Sequence, residues 1–263
     1  MAGVPLPRWP AGWSREQRSS ATMATAVVGL MLVLWLLPIP LALAPEPIGP
    51  QAELFGEGTR TTMLLTVIAG LSGILIGVLA ALGKLARFAP VRWLAAAYIW
   101  VVRGTPLLVQ ILFVFFALPS AIPALSLSDF NSAALALAFN VGAYNAEAIR
   151  AGLMAVPKGQ IEAARSLGLN RWYTFIDVTF PQAFKISLPP LVNNIVALLK
   201  DSSLAYAIGV VELTSVGNRI QAASFQPIPT LVTVASVYLL LTTLLTQISG
   251  AVERRFDVEG RQP

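Results

Sequence analysis

The sequence contains no cysteine and no histidine. Thiolate chemistry and disulfides are therefore absent, and so are the commonest zinc-ligand sets. The usual general base is missing too, which excludes Ser–His and Cys–His nucleophilic machinery. No GxxxxGK[ST] stretch occurs, so the chain has no phosphate-cradling loop of that type. Charge is scarce: Asp, Glu, Lys and Arg make up 12% of the 263 residues, whereas 56% are hydrophobic, and the mean hydropathy is +0.71. These proportions describe an all-α polytopic membrane protein. The net charge of +5 would suggest nucleic acid in a soluble protein. Here the cations lie between apolar runs, so they point to orientation in a bilayer and not to a nucleic-acid surface.

What is present is a series of apolar runs. Residues 23–43, 61–82, 93–118, 132–149, 188–211 and 230–252 are each expected to span, giving six transmembrane helices. Ala42-Leu43-Ala44 resembles a signal-cleavage site, but the preceding apolar core is longer than a usual signal and Pro45 discourages cleavage, so an uncleaved first span is expected. Residues 44–58, rich in Pro and Glu, read as an external loop. Gly73 and Gly77 have the spacing that lets helices approach closely. The third run is interrupted by Arg103-Gly104-Thr105-Pro106, which predicts either a kink or an interfacial stretch preceding the real span. Pro189-Pro190 open the fifth run.

Both termini are expected in the cytoplasm. That arrangement puts Arg8, Arg15, Arg18, Lys84, Arg87, Arg92, Arg103, Arg150, Lys158, Arg165, Arg171, Lys185, Arg254, Arg255 and Arg261 on one side; only Arg60 and Arg219 fall on the other, with Lys200 in a span.

Residues 156–188 form the longest basic, polar interruption. Pro157 suits the first position of a short helix, and Gly168 suits its left-handed stop. Ile161, Ala164 and Leu167 recur every three residues on one apolar face, with Glu162 off that face. A second short helix over 171–179 is expected to end at Pro181. The result is an elbow offering a small apolar face and one carboxylate to something outside the bilayer.

Glu162-Ala163-Ala164, Gly168 and Pro181-Gln182-Ala183 resemble the coupling loop of membrane-spanning subunits of bacterial ATP-binding-cassette importers. Arg103-Gly104-Thr105-Pro106-Leu107-Leu108-Val109-Gln110, Gly142-Ala143-Tyr144, Val156-Pro157-Lys158-Gly159-Gln160, Leu188-Pro189-Pro190-Leu191 with Asn193, and Leu199-Lys200-Asp201-Ser202-Ser203-Leu204 are similar to the polar amino acid permease branch of that family. The resemblance implies a five-helix permease core at 59–252, with the elbow at 156–187, an extra N-terminal helix within 1–58 and a cytoplasmic tail at 253–263. It also implies partners: ATPase subunits that bind ATP and magnesium, a second permease subunit, and an extracytoplasmic amino-acid-binding protein, all at the bacterial inner membrane. This chain itself would carry no cofactor and perform no catalysis. Glu162, Ala163, Ala164, Gly168 and Pro181 would couple it to the ATPase.

Polar residues within spans are costly and mark pathways or partners. Asn140, Tyr144 and Glu147 fall on one helical stripe. A free amino acid needs donors for its carboxylate and an acceptor for its ammonium. Asn140, Tyr144, Asn194, Lys200 and Asp201 are the candidates for that pathway; a structural ion pair is the other role open to Lys200 and Asp201. Glutamine or glutamate, a basic amino acid, or an opine-like derivative would each fit. A membrane-embedded enzyme and a non-transporting, ATPase-coupled sensor are the readings from other classes.

Overall fold

Ser14 opens the first helix by a reciprocal exchange with Gln17: its hydroxyl accepts from the Gln17 N–H, and the Gln17 side chain accepts from the Ser14 N–H. The computed structural model describes residues 12–256, which are helical almost throughout. Arg8 and Arg261, counted above among the cytoplasmic cations, lie outside the described residues. The order is α1 (Arg15–Leu36), α2 (Pro38–Ala42), α3 (Ala52–Lys84), α4 (Ala89–Gly104), α5 (Leu107–Leu112), α6 (Leu118–Ala121), α7 (Asp129–Ala155), α8 (Lys158–Ser166), α9 (Arg171–Tyr173), α10 (Phe180–Asp201), α11 (Leu213–Ser224) and α12 (Pro227–Arg255). π-Turns at Phe113–Ala117 and Thr174–Thr179 join α5 to α6 and α9 to α10.

The centre of the bundle is α7. It packs on α3, α10, α4 and α5 and is rich in small buried residues, among them Ala133, Ala136, Ala138, Ala143 and Ala146. Gly73 and Gly77 of α3 face it. A Cβ on Gly77 would lie 2.6 Å from Asn145 Cβ and 3.1 Å from the Gly142 carbonyl oxygen, and one on Gly73 would collide with Val141. The spacing read from the sequence thus serves a backbone-to-backbone approach. On its other side, Gly152 meets the Ala183 carbonyl and Ser187 of α10. Tyr98 of α4 donates to the Phe139 carbonyl at 2.6 Å.

The N-terminal helix is docked along α12. Leu244 packs onto Gly29, and the Ser19 hydroxyl donates to the Ala251 carbonyl. Arg60 of α3 ties its far end, donating to the Leu34 carbonyl at 3.4 Å with its guanidinium 5.9 Å from the Trp35 ring centroid.

Three helical segments, Glu16–Leu36, Gly49–Lys84 and Pro227–Arg255, are individually long and apolar enough to cross a bilayer; two bent pairs raise the number to as many as five among the described residues. α7, expected as the fourth span, has the length but is not among them, because its interior position lets it carry Asn140, Asn145 and Glu147.

Several sequence boundaries move. Residues 52–58 belong to α3 and are not loop; Phe55 and Gly58 are buried there because α11 packs on them, Gly58 facing Leu213 and Val216. Pro181 does not end a helix but sits in the first turn of α10, where a preceding π-turn has already shifted the hydrogen-bond register and the Gln182 side chain donates to the Val178 carbonyl at 2.9 Å. Pro189 and Pro190 lie inside α10 and do not begin it. Within 212–229, Glu212 is wholly buried and caps α11, accepting from the N–H groups of Thr214 at 2.8 Å and Ser215 at 2.7 Å and from the Tyr238 hydroxyl at 2.9 Å.

The close approach of α3 to α7 makes Gly77→Val strongly destabilising, by about 1–3 kcal/mol, the usual cost of overpacking. Gly70→Ala should be nearly silent, since the added methyl meets only side-chain ends, Ile195 at 3.1 Å and Leu198 at 3.5 Å. The thermal midpoints of the purified variants in detergent would show the contrast; equal midpoints would mean that the α3–α7 approach does not limit stability.

Candidate functional site

The site begins with a break in the chain. Pro106 disfavours helical backbone at the residue before it, and Thr105 is extended (φ −120°, ψ 148°). α4 and the 107–121 segment consequently meet at 113°. Both possibilities read from Arg103-Gly104-Thr105-Pro106, a kink or an interfacial stretch before the span, place a break here, and the break is a sharp corner between α4 and the 107–121 segment. Gln110 holds it. Its side-chain N–H groups donate to the Val102 carbonyl at 2.7 Å, to the Thr105 carbonyl at 3.1 Å and to the Thr105 hydroxyl at 2.9 Å. Its oxygen accepts from Asn140 of α7 at 3.0 Å. One amide thus satisfies carbonyls that the break exposes and binds the corner to the central helix.

Inside the corner lies a cavity of about 390 Å³ whose lining includes Thr105, Pro106, Asn140, Tyr144, Asn194 and Asp201. Four of the five residues singled out for the pathway therefore meet around one space. Lys200 does not. It is exposed and points away, as neighbours separated by about 100° on a helix must. Asp201 is the one charged side chain lining the cavity; the other polar groups are amides and hydroxyls. Such a lining offers a carboxylate to a cationic group and several hydrogen-bond partners to a polar one. Behind Asn194, the buried Asn145 accepts its amide N–H at 2.9 Å. Among the described residues, no cluster of acidic side chains is arranged to hold a metal ion.

One turn further along α7, Glu147 binds Lys84 of α3 through one oxygen and Arg150 through the other, at 2.7 and 3.1 Å. Glu147 and Arg150 are thus paired with each other and do not extend separately to solvent.

The elbow projects from the end of α7. Pro157 is the cap residue and α8 starts at Lys158. Gly168 has φ +88°, and the Leu169 N–H returns to the Ala164 carbonyl at 3.2 Å, closing the helix as its glycine predicted. The expected apolar face is divided. Ala164 is buried against the elbow's second arm, Ile161 is half-buried, and Leu167 stands 81% exposed. A nine-residue helix needs an anchor to its own chain, and Ala164 provides it. Glu162 and Ala163 face outward. Gln182 donates to Gln160 across the two arms, and Asn170 caps α9 by accepting from Trp172 and Tyr173 N–H groups, each at 3.0 Å. Gln110 and Gln160 appeared in the sequence only as members of resembling stretches and Lys84 only as an orienting cation, and Asn170 had no role there. Asn170 was legible as a polar cap just before a helical run, and Gln110 as a donor near an intramembrane proline. Nothing local marked Lys84 as the partner of Glu147.

Residues 73–258 match the model of the family described as binding-protein-dependent transport system inner membrane component. The L-cystine transport system permease protein of Bacillus subtilis is 37% identical over 201 residues, covering 76% of this chain and 85% of its own. The glutamine transport system permease protein of Escherichia coli is 37% identical over 211 residues, covering 80% and 96%. Among solved structures, the crystal structure of an amino acid ABC transporter with histidines matches with a TM-score of 0.74 and 37% identity, over 78% of this chain and 95% of that one.

The corner at Pro106 supplies a test. Gln110→Leu leaves the Val102 and Thr105 carbonyls without their donor and should destabilise by about 1–3 kcal/mol. Asn140→Ala removes a single bond and should cost less. Urea or thermal unfolding of both variants in detergent would rank them; an unaffected Gln110→Leu protein would show that the corner is held by something else.

Proposed function

The chain belongs to the family of binding-protein-dependent transport system inner membrane components, and on that premise we propose that it is the pathway-forming subunit of an ATP-driven importer for a polar amino acid. The observation that carries this is the pairing, in one subunit, of a polar cavity at the α5–α7–α10 junction with an outward-projecting elbow at the end of α7. Asn140, Tyr144, Asn194 and Asp201 bind the passing substrate, Asp201 taking its ammonium and the amides its carboxylate. The names of the cystine and glutamine relatives and of the histidine-containing structure support an amino acid as cargo.

The elbow docks in a groove of a separate ATPase subunit, which binds ATP and magnesium. Glu162, Ala163 and the exposed Leu167 make the contact; Gly168 and Pro181 shape its two arms. A second permease subunit completes the pathway, and an extracytoplasmic binding protein delivers the cargo. Six crossings, formed by α1, α3, the bent α4–α6 segment, α7, α10 and α12, leave both termini in the cytoplasm. The run of elbow cations Arg150, Lys158, Arg165, Arg171 and Lys185 supports that side for the elbow. ATP closes the ATPase pair, the elbows approach each other, and the cavity changes the side to which it opens.

The elbow is the place to test the coupling. Glu162→Lys reverses a charge at the contact, where like-charge juxtaposition costs several kcal/mol. Gly168→Val forces a Cβ into the left-handed region, costing about 1 kcal/mol or more. Both variants should insert normally and then lose uptake, together with binding-protein-stimulated ATP hydrolysis, by about tenfold or more in reconstituted vesicles. Wild-type values of both readings in Glu162→Lys would reject the elbow as the coupling site.

A further inference from the structure

The stripe of α7 that lines the polar cavity continues beyond it. Asn140 and Tyr144 line the first cavity, while Tyr144 and Glu147 line a second cleft of about 440 Å³ toward the elbow. Asn140 and Glu147 are separated by about 10 Å along the helix axis, two turns of rise. The two spaces are thus in series, with Tyr144 in the wall of both. Their charges differ in sign. The first contains Asp201 and no cation, whereas the second is lined by Lys84, Arg103 and Glu147, together with Trp100, Gly104 and Tyr144. Glu147 is already shared between Lys84 and Arg150. Arg103, among the described residues, has no carboxylate partner; its guanidinium lies over the Tyr144 ring, 5.2 Å from the centroid. Three cations around one carboxylate leave this region net positive, and the planar, unpaired guanidinium suits a carboxylate.

We propose that this second cleft is an exit-side binding site for the substrate's carboxylate, held by Arg103 with Lys84 beside it, and that Arg103 and Tyr144 form the step between the two chambers. The inference rests on the reading of the first cavity as the substrate's path. A zwitterion bound with its ammonium at Asp201 meets, on the elbow side of Tyr144, a cation able to take the carboxylate as the amides release it. The aromatic face under Arg103 keeps the guanidinium at the junction when no ligand is present.

The number of ligands bound distinguishes this from a single chamber. The importer assembled with its ATPase subunits, in detergent and without ATP or binding protein, would be equilibrated with radiolabelled L-glutamine, L-cystine or L-histidine at saturation. Two molecules per copy of this chain are expected for the wild type with the amino acid it transports. Arg103→Gln should leave one, and Arg103→Lys, which keeps the cation, should restore two. Ala96→Trp, which fills the cleft without altering any charge, should also leave one. Asp201→Asn should remove the other site. A wild-type value of one that Asp201→Asn abolishes and Arg103→Gln does not would overturn the second site while leaving the first standing. Any stoichiometry unchanged by both Arg103→Gln and Ala96→Trp likewise overturns it. Absence of binding for all three amino acids in the wild type, and for L-glutamate, L-arginine and the opine octopine tested alongside them, would remove the first cavity as a substrate site, and the inference with it.

Discussion

The close approach of α3 to α7 sets the terms for the remaining helices. In a bilayer, apolar side chains gain little from leaving lipid for one another, so helices associate through van der Waals contact and backbone proximity. Gly73, Gly77 and Gly142 remove the side chains that would hold the two backbones apart. With α3 on one side, α10 on the next and α4 crossing over, α7 is enclosed. Enclosure is what allows it to hold Asn140, Asn145 and Glu147, residues costly against lipid. α7, which is not among the segments apolar enough to span by themselves, is therefore able to supply Asn140 and Tyr144 to the cavity, opposite Asn194 and Asp201 of α10.

A second regularity concerns broken backbone. At four breaks in the helical backbone, a side chain takes up a freed main-chain group. Gln110 serves the corner at Pro106, Gln182 the Val178 carbonyl beside Pro181, Asn170 the start of α9 and Glu212 the start of α11. At Pro106, within an apolar run, such groups have no bulk water to turn to, so the irregular backbone persists with internal partners; in the exposed elbow the same kind of bond fixes the shape of the two arms. The same side chains also join elements: Gln110 reaches α7, and Glu212 reaches α12 through Tyr238. Local repair and tertiary connection are the same bonds.

Composition made the class legible, and spacing along one helix made the glycine-mediated packing and the first arm of the elbow legible. The stop at Gly168 followed from backbone sterics alone. The fate of the prolines was less readable. Pro181, Pro189 and Pro190 would each be expected to interrupt an isolated helix, yet Pro181 follows a π-turn and sits in the first turn of α10, and Pro189 and Pro190 lie within the same helix. Asp201 could be told from Lys200 only once the face of α10 turned toward α7 was known. Ala164 shows the same limit at smaller scale: three apolar positions on one face were visible, but which of them the elbow keeps for itself depends on the second arm. α11, whose Leu213, Val216 and Ile220 are buried, had a helical apolar pattern that the sequence reading did not use.

Helical structure continues from Arg171 in the elbow, through the π-turn and α10, to the edge of the cavity at Asp201. Mechanically this is a lever with its soft point built in. Pro189 and Pro190 remove two backbone donors from the middle of α10, so bending concentrates there. The arm from Pro189 to Asp201 is about 18 Å long at helical rise. A tilt of about 10° at that pivot swings the carboxylate through about 3 Å, the length of a single hydrogen bond. A modest displacement of the elbow is therefore commensurate with making or losing one contact at the far end.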